Sequence, residues 1–142
     1  MTSEINDALF RKAAEWASGD PDPQTRRALQ EALEAKDHDA LLEGFAAPLE
    51  FGTAGLRGLL GFGPGRMNQV TVARATAGLA QQLLEDVPDA TTKGVVVGRD
   101  ARRMSPEFAT TVAEVLAGYG FQVYWHPDPV PTSTIFAFSS KE

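Results

Sequence analysis

Six glycines fall within the fourteen residues 52–65, at Gly52, Gly55, Gly58, Gly61, Gly63 and Gly65, with Arg57 and Arg66 set among them. Glycine lacks a Cβ, so it tolerates positive φ and lets a ligand or another backbone approach closely. Arginine presents a permanently charged planar fork that suits carboxylate or phosphate. An amide-rich loop carrying arginine therefore suggests a phosphate-handling surface. The alternative is a tight turn with two solvated arginines.

Two familiar nucleotide loops are excluded by position. A P-loop requires G-x-x-x-x-G-K-[ST]; Gly58 and Gly63 have the spacing, but Pro64 and Gly65 stand where lysine and the hydroxyl belong. A dinucleotide fingerprint requires G-x-G-x-x-G; Gly61 and Gly63 begin it, and Arg66 occupies the third place.

The glycine stretch separates two kinds of pattern. Upstream, Ser3 can cap a helix from about Glu4 to Ser18, with Ile5, Leu9, Ala13 and Trp16 as its apolar stripe. Prolines 21 and 23 end it. A second helix is predicted from about Gln24 to Lys36, facing inward through Ala28, Leu29, Ala32 and Leu33, and a short third one from Asp39 to Phe45. Alone these helices bury too little, so they should pack on the remainder. Residues 1–50 hold eleven acids and five bases, whereas 51–142 hold eight of each. The excess negative charge belongs to this helical prefix and, with no basic tract present, speaks against nucleic-acid binding.

From Pro48 onward the pattern becomes mixed. Leu49–Phe51 reads as a strand entering the glycines, Leu56–Phe62 as a second extended arm, and Val70–Asp86 as a helix with Val72, Thr76, Leu79, Leu83 and Val87 on one side. The apolar run Lys93–Gly98 suits a strand covered on both faces. Ser105-Pro106-Glu107 reads as a serine-capped helix start, with Phe108, Val112, Val115, Leu116 and Tyr119 inward and Gly118 and Gly120 at its close. Phe121–Trp125 alternates as a strand, and a last short helix is predicted near Ser133–Phe138. This order defines an α/β layered sheet with helices on both faces.

The turn Val97–Ser105 carries Arg99, Asp100, Arg102 and Arg103 where a strand meets a helix, the place where ligands collect in open α/β sheets. Asp100 can orient an arginine beside an anion, or the turn can simply hold an internal ion pair. Ser105 reads as a cap rather than a nucleophile, for want of a nearby base. His38 and His126 lack partners at metal-ligand spacing, and Trp16 and Trp125 read as core anchors. The chain has no cysteine, no signal-peptide pattern and no bilayer-length apolar run, which together fit a cytoplasmic protein that makes no membrane contact.

Three segments carry a resemblance: Leu49-Glu-Phe-Gly-Thr-Ala-Gly-Leu-Arg-Gly58, Gly63-Pro-Gly-Arg-Met-Asn68, and Val97-Gly-Arg-Asp-Ala-Arg102 with Ser105. They resemble the first domain of the α-D-phosphohexomutases, the phosphoglucomutase, phosphomannomutase and phosphopentomutase group. The prefix Trp16–Arg26 is similar to the longer, phosphoglucomutase or phosphopentomutase, branch. The resemblance implies a helical extension over 1–47 and, over 48–142, an α/β/α domain I with a mixed sheet. It implies an intramolecular phosphotransferase acting on sugar phosphates, interconverting hexose 1- and 6-phosphates or pentose 1- and 5-phosphates. Arg57 then matches the arginine that stabilises the transferring phosphate; Gly52, Thr53, Gly55, Gly58, Asp100 and Arg102 match its supporting loops.

The family's phosphoserine loop and its Asp-x-Asp-x-Asp Mg²⁺ loop have no match before Glu142. By resemblance the chain is therefore expected to hold no metal and to lack turnover alone, Mg²⁺ and a sugar bisphosphate primer belonging to the full-length enzyme. The apolar segment Ile135–Phe138 is expected to be uncovered and to favour self-association, which motivates an alternative as a non-catalytic interaction module.

Overall fold

The computed structural model describes residues 2–52 and 55–130, with side chains from Asn6 onward. Thr53, the helix expected near 133–138 and the apolar segment 135–138 lie outside the described residues. The chain divides into two compact units, Met1–Thr71 and Val72–Glu142.

The first unit begins with three helices, α1 (Thr2–Gly19), α2 (Pro23–Glu34) and α3 (His38–Phe45). Between α1 and α2 the chain turns on a buried Asp20, whose carboxylate accepts hydrogen bonds from the Asp22 amide (3.0 Å) and the Thr25 hydroxyl (2.7 Å). Asp22 caps α2 by accepting from the Gln24 amide at 2.8 Å, and Pro23 occupies the position where a missing N–H costs nothing. Leu9, Ala13, Ala17, Leu29, Ala32 and Leu41 form the core of this unit. Fully buried leucines such as Leu29 and Leu41 each contribute about 1.5–3 kcal/mol. Trp16 meets Phe45 edge-on at 5.9 Å, and Phe45 in turn meets Phe62 at 6.5 Å. Phe62 belongs to the glycine stretch, so the helices complete their core with it. Ala28, expected to face inward, is exposed, because the buried side of α2 centres on Leu29 and Ala32.

Helix α2 ends in a Schellman turn: the Lys36 amide donates to Leu33 O (3.2 Å) and the Asp37 amide to Ala32 O (2.9 Å). Lys36 adopts φ 53° there, a conformation costing a non-glycine residue about 1–2 kcal/mol. After the larger backbone entropy of glycine is subtracted, Lys36→Gly should stabilise the unit by about 0.5–1 kcal/mol in urea unfolding. Unchanged or lower stability would show that the Lys36 side chain makes a compensating contact. Asp37 then caps α3 through the Ala40 amide at 3.1 Å.

The glycine stretch holds a minimal antiparallel hairpin, β1 (Phe51–Gly52) with β2 (Gly55–Leu56), in the register Phe51↔Leu56 and Gly52↔Gly55. The expected longer arms shorten to two residues each, since glycines at this density leave little side chain to stabilise a ladder. Helix α4 (Gln69–Asp86) follows, and the division between the units falls in its first turn.

The second unit contains the rest of α4, the short α5 (Ala90–Lys93), β3 (Val95–Arg99), α6 (Ser105–Gly118) and β4 (Val123–Pro129). Strands β3 and β4 are parallel, with Val95↔Val123, Val96↔Tyr124 and Val97↔Trp125, and an irregularity before Arg99↔Pro129. The connection is a β–α–β crossover, as a parallel pair requires. Ala80, Ala90, Val97, Ala109, Leu116 and Phe121 form its core. Helix α6 closes in a second Schellman turn, where the Phe121 amide donates to Leu116 O (3.1 Å) and both side chains are buried together.

Four expectations are corrected here. Leu79 of α4 is exposed and Ala80 is buried instead, since the inward arc passes through Val72, Thr76 and Ala80 at four-residue steps. Among the described residues strand β3 is covered on one face only: Val97 is buried, whereas Val96 points to the opposite face and is exposed beside Tyr124. Trp125 is 43% exposed rather than a core anchor, because β4 pairs with β3 alone among the described residues. Ser105 is the first helical residue, not the cap; Met104 at φ 64° precedes it without a side-chain capping bond.

Candidate phosphate-facing arm and its supports

The hairpin places Arg57 immediately after β2. Arg57 and Gly58 are exposed, as is Gly52, while Gly55 is half-buried at φ 89° with open space where a Cβ would lie. Among the described residues no hydrogen bond or ion pair reaches the Arg57 guanidinium. Flanking apolar side chains are equally open: Phe51 is 68% exposed and Leu59 70%.

Gly63 and Gly65 serve a different purpose. The Gly65 amide donates to Gly44 O at 2.9 Å, and a Cβ on Gly63 would lie 2.4 Å from that same oxygen. One on Gly65 would lie 2.7 Å from Ala47 O. These positions let the loop lie against the end of α3. Arg66 belongs to the same contact, since its Nη2 donates to Glu43 Oε2 of α3 at 2.5 Å. Of the two arginines first singled out, Arg66 is thus neutralised by a carboxylate and Arg57 is not.

The loop is held from within by Asn68, which is 1% exposed. Its Nδ2 donates to Gly61 O (2.9 Å), Gly63 O (2.8 Å) and Arg66 O (3.2 Å). Its Oδ1 accepts from the Thr71 amide at 2.9 Å, while Thr71 Oγ1 accepts from the Asn68 amide at 3.0 Å. This is a reciprocal capping box at the start of α4. Neither Asn68 nor Glu43 was identified from the sequence as a support of the site. Asn68-x-x-Thr71 before an apolar helix was the available signal; Glu43, twenty-three residues from Arg66, offered none.

In the second unit Asp100 and Arg102 form a compact turn. The Arg102 amide donates to Asp100 Oδ1 (3.0 Å) and its Nε to Oδ2 (2.6 Å). Arg102 is 86% exposed beyond that contact, and Arg99 donates to Pro127 O at 3.2 Å. The bond from the Arg102 backbone amide, followed by side-chain bonds from Arg102 and Ser105, holds the Asp100 carboxyl below its ordinary value of 3.8 against the opposing effect of desolvation. Because the folded state lowers this pKa, the stabilisation is complete above 3.8 and is lost as pH falls through the folded value. Asp100→Asn should therefore be less stable than the parent at neutral pH, and the gap should close on acidification below that range. A gap in thermal midpoint that is constant with pH would remove the charge from this account.

Gly52, Gly55, Arg57 and Gly58 thus lie in the first unit, and Asp100 and Arg102 in the second. Among the described residues no three His, Asp or Glu side chains converge to hold a metal ion. No described helix is long and apolar enough to cross a membrane.

An α/β fold in which a glycine hairpin presents an arginine, ahead of a strand-to-helix turn, defines the class. The chain belongs to the phosphoglucomutase/phosphomannomutase family, matching its alpha/beta/alpha domain I over residues 48–141. It is 38% identical over 121 residues to a probable phosphoribomutase of Schizosaccharomyces pombe, covering 85% of this chain and 21% of the relative. Against the phosphopentomutase of Homo sapiens it is 33% identical over 130 residues, covering 87% and 21%. A phosphoglucomutase of Staphylococcus aureus shares 40% over 97 residues, covering 68% and 17%. The chain thus spans about a fifth of the length of these relatives. No solved structure gives a significant match.

Proposed function

We propose that this chain forms one wall of a phosphosugar mutase site, in which Arg57 contacts the phosphate moving between the C1 oxygen and the C5 or C6 oxygen of a sugar. The observation that carries this reading is the contrast among the arginines of the matching segments. Arg66 and Arg102 are each engaged by a carboxylate and Arg99 by the Pro127 carbonyl, whereas Arg57 stands exposed on the hairpin with no hydrogen bond or ion pair among the described residues. Phosphoryl transfer depends largely on positioning and charge neutralisation, and a fixed guanidinium provides both. Relatives named as phosphoribo-, phosphopento- and phosphoglucomutases support a sugar phosphate as the ligand class.

Asp100 and Arg102 keep in this reading the phosphate-supporting role that the family resemblance implies, with Mg²⁺ and a sugar bisphosphate primer required by the complete enzyme. By itself the chain binds rather than turns over. Titration of the labelled chain with glucose 1-phosphate and ribose 1-phosphate, followed at the backbone amide signals of residues 55–59, tests the reading. A saturable shift absent in Arg57→Ala is expected; a shift that survives the substitution places the phosphate elsewhere.

A second reading, a non-catalytic module that self-associates, draws on the exposed Phe51 and Leu59. Sedimentation showing a strict monomer at high concentration counts against it.

A further inference from the structure

We infer that Asn68 is the positioning residue for Arg57, acting through the Gly61–Met67 loop; the inference rests on the phosphate reading of Arg57 given above. Both feet of the Arg57 hairpin are tied to that loop. On the entering side the Leu49 amide donates to Pro64 O at 2.9 Å. On the leaving side the Met67 amide donates to Leu59 O at 2.8 Å, and Leu60 bridges Met67. Leu49 also lies under Gly58, the residue after Arg57, where a Cβ would come within 2.6 Å of Leu49 Cδ2.

Two of the loop's own side chains, Phe62 and Arg66, are directed to the helical core and to Glu43 and do not tie its backbone together. Its carbonyls at Gly61, Gly63 and Arg66 converge instead on the single buried amide group of Asn68. The Thr71 hydroxyl donates to Arg66 O as well, at 3.0 Å, so one carbonyl is held twice. Only a side chain that donates from one atom and accepts at another can close the loop and start α4 together. Glycine-rich backbone without these ties has many accessible conformations, so the hairpin standing on it would lose its fixed bearing.

Substitution separates the two tasks of Asn68. Asn68→Asp keeps the oxygen that caps α4 but places a carboxylate among three carbonyls; Asn68→Ser keeps capping ability but cannot reach them. Three measurements on the labelled full chain are decisive: the far-ultraviolet melting curve, the order parameters of residues 55–59, and the Arg57 Nε–H shift on titration with inorganic phosphate. In at least one variant the helical signal and melting midpoint should stay near those of the parent. The hairpin order parameters should fall below about 0.6, the range of flexible backbone. If the productive orientation drops to a fifth or a tenth of the population, apparent phosphate affinity falls about five- to tenfold. Hairpin order and phosphate affinity equal to the parent's in a folded variant overturn the inference, as does global unfolding of both variants. A parent chain whose Arg57 does not respond to phosphate overturns the phosphate reading, and the hairpin order parameters still decide the role of Asn68.

Discussion

Gly63→Ala should destabilise the first unit by about 3 kcal/mol or more, from overpacking and left-handed strain combined. The added Cβ would lie 2.4 Å from Gly44 O, 2.8 Å from Gly44 C and 3.1 Å from Gly44 Cα. All three are backbone atoms of α3, which cannot rotate away as a side chain can. The close approach is reciprocal, since a Cβ added at Gly44 would lie 2.8 Å from Phe62 O. The backbone of Gly63 also has φ 89°, so alanine would be strained even in open space. Gly55 provides the control: it too has φ 89°, but nothing lies within 4 Å of its Cβ position. Gly55→Ala should therefore cost only the backbone strain, about 1–2 kcal/mol. In thermal unfolding followed by circular dichroism, Gly63→Ala should lower the midpoint by roughly 12 °C or more for a unit of this size. Equal losses in the two variants would mean that the approach of the loop to α3 carries no energetic weight.

Arg57→Ala should slow phosphoryl transfer by about 10²–10³-fold in a complete phosphosugar mutase carrying this segment, the loss typical when one preorganised donor is removed. Folding should hardly change, since the side chain is exposed and exposed substitutions usually stay within about 0.5 kcal/mol. Arg57→Lys should recover only part of the rate, because an ammonium on a flexible stem lacks the two-pronged fork. Arg66→Ala is the informative contrast. Its guanidinium is committed to Glu43, so the variant should affect stability before rate. A coupled assay with a melting curve on each variant separates the two. Parallel losses of rate and stability in Arg57→Ala would make Arg57 a structural residue.

Local chemistry made the helices legible. Prolines 21 and 23 and the capping Asp22 mark the turn from α1 to α2 within a few residues of where it lies, and the leucine and alanine spacing located most of the first core. The run of valines located β3 for the same reason, although its coverage depended on which neighbours it found. The segments matching the mutase family were likewise readable, because motif residues lie close together in the chain.

Only tertiary structure divided the glycine stretch. By residue type and spacing Arg57 and Arg66 are equivalent, and the family resemblance singles out Arg57 without giving the physical reason. Gly63 and Gly65 differ from the others because the loop folds over a helix end some twenty residues earlier, and Arg66 differs because Glu43 meets it there. Asn68 is a further case: a capping residue by its position, but the closure of the loop by where its amide points. Covalent neighbours determine backbone preference over a few residues, so element type and boundary can be read from the chain itself. Which guanidinium is neutralised and which remains available is determined by partners distant in sequence, and folding alone brings those together.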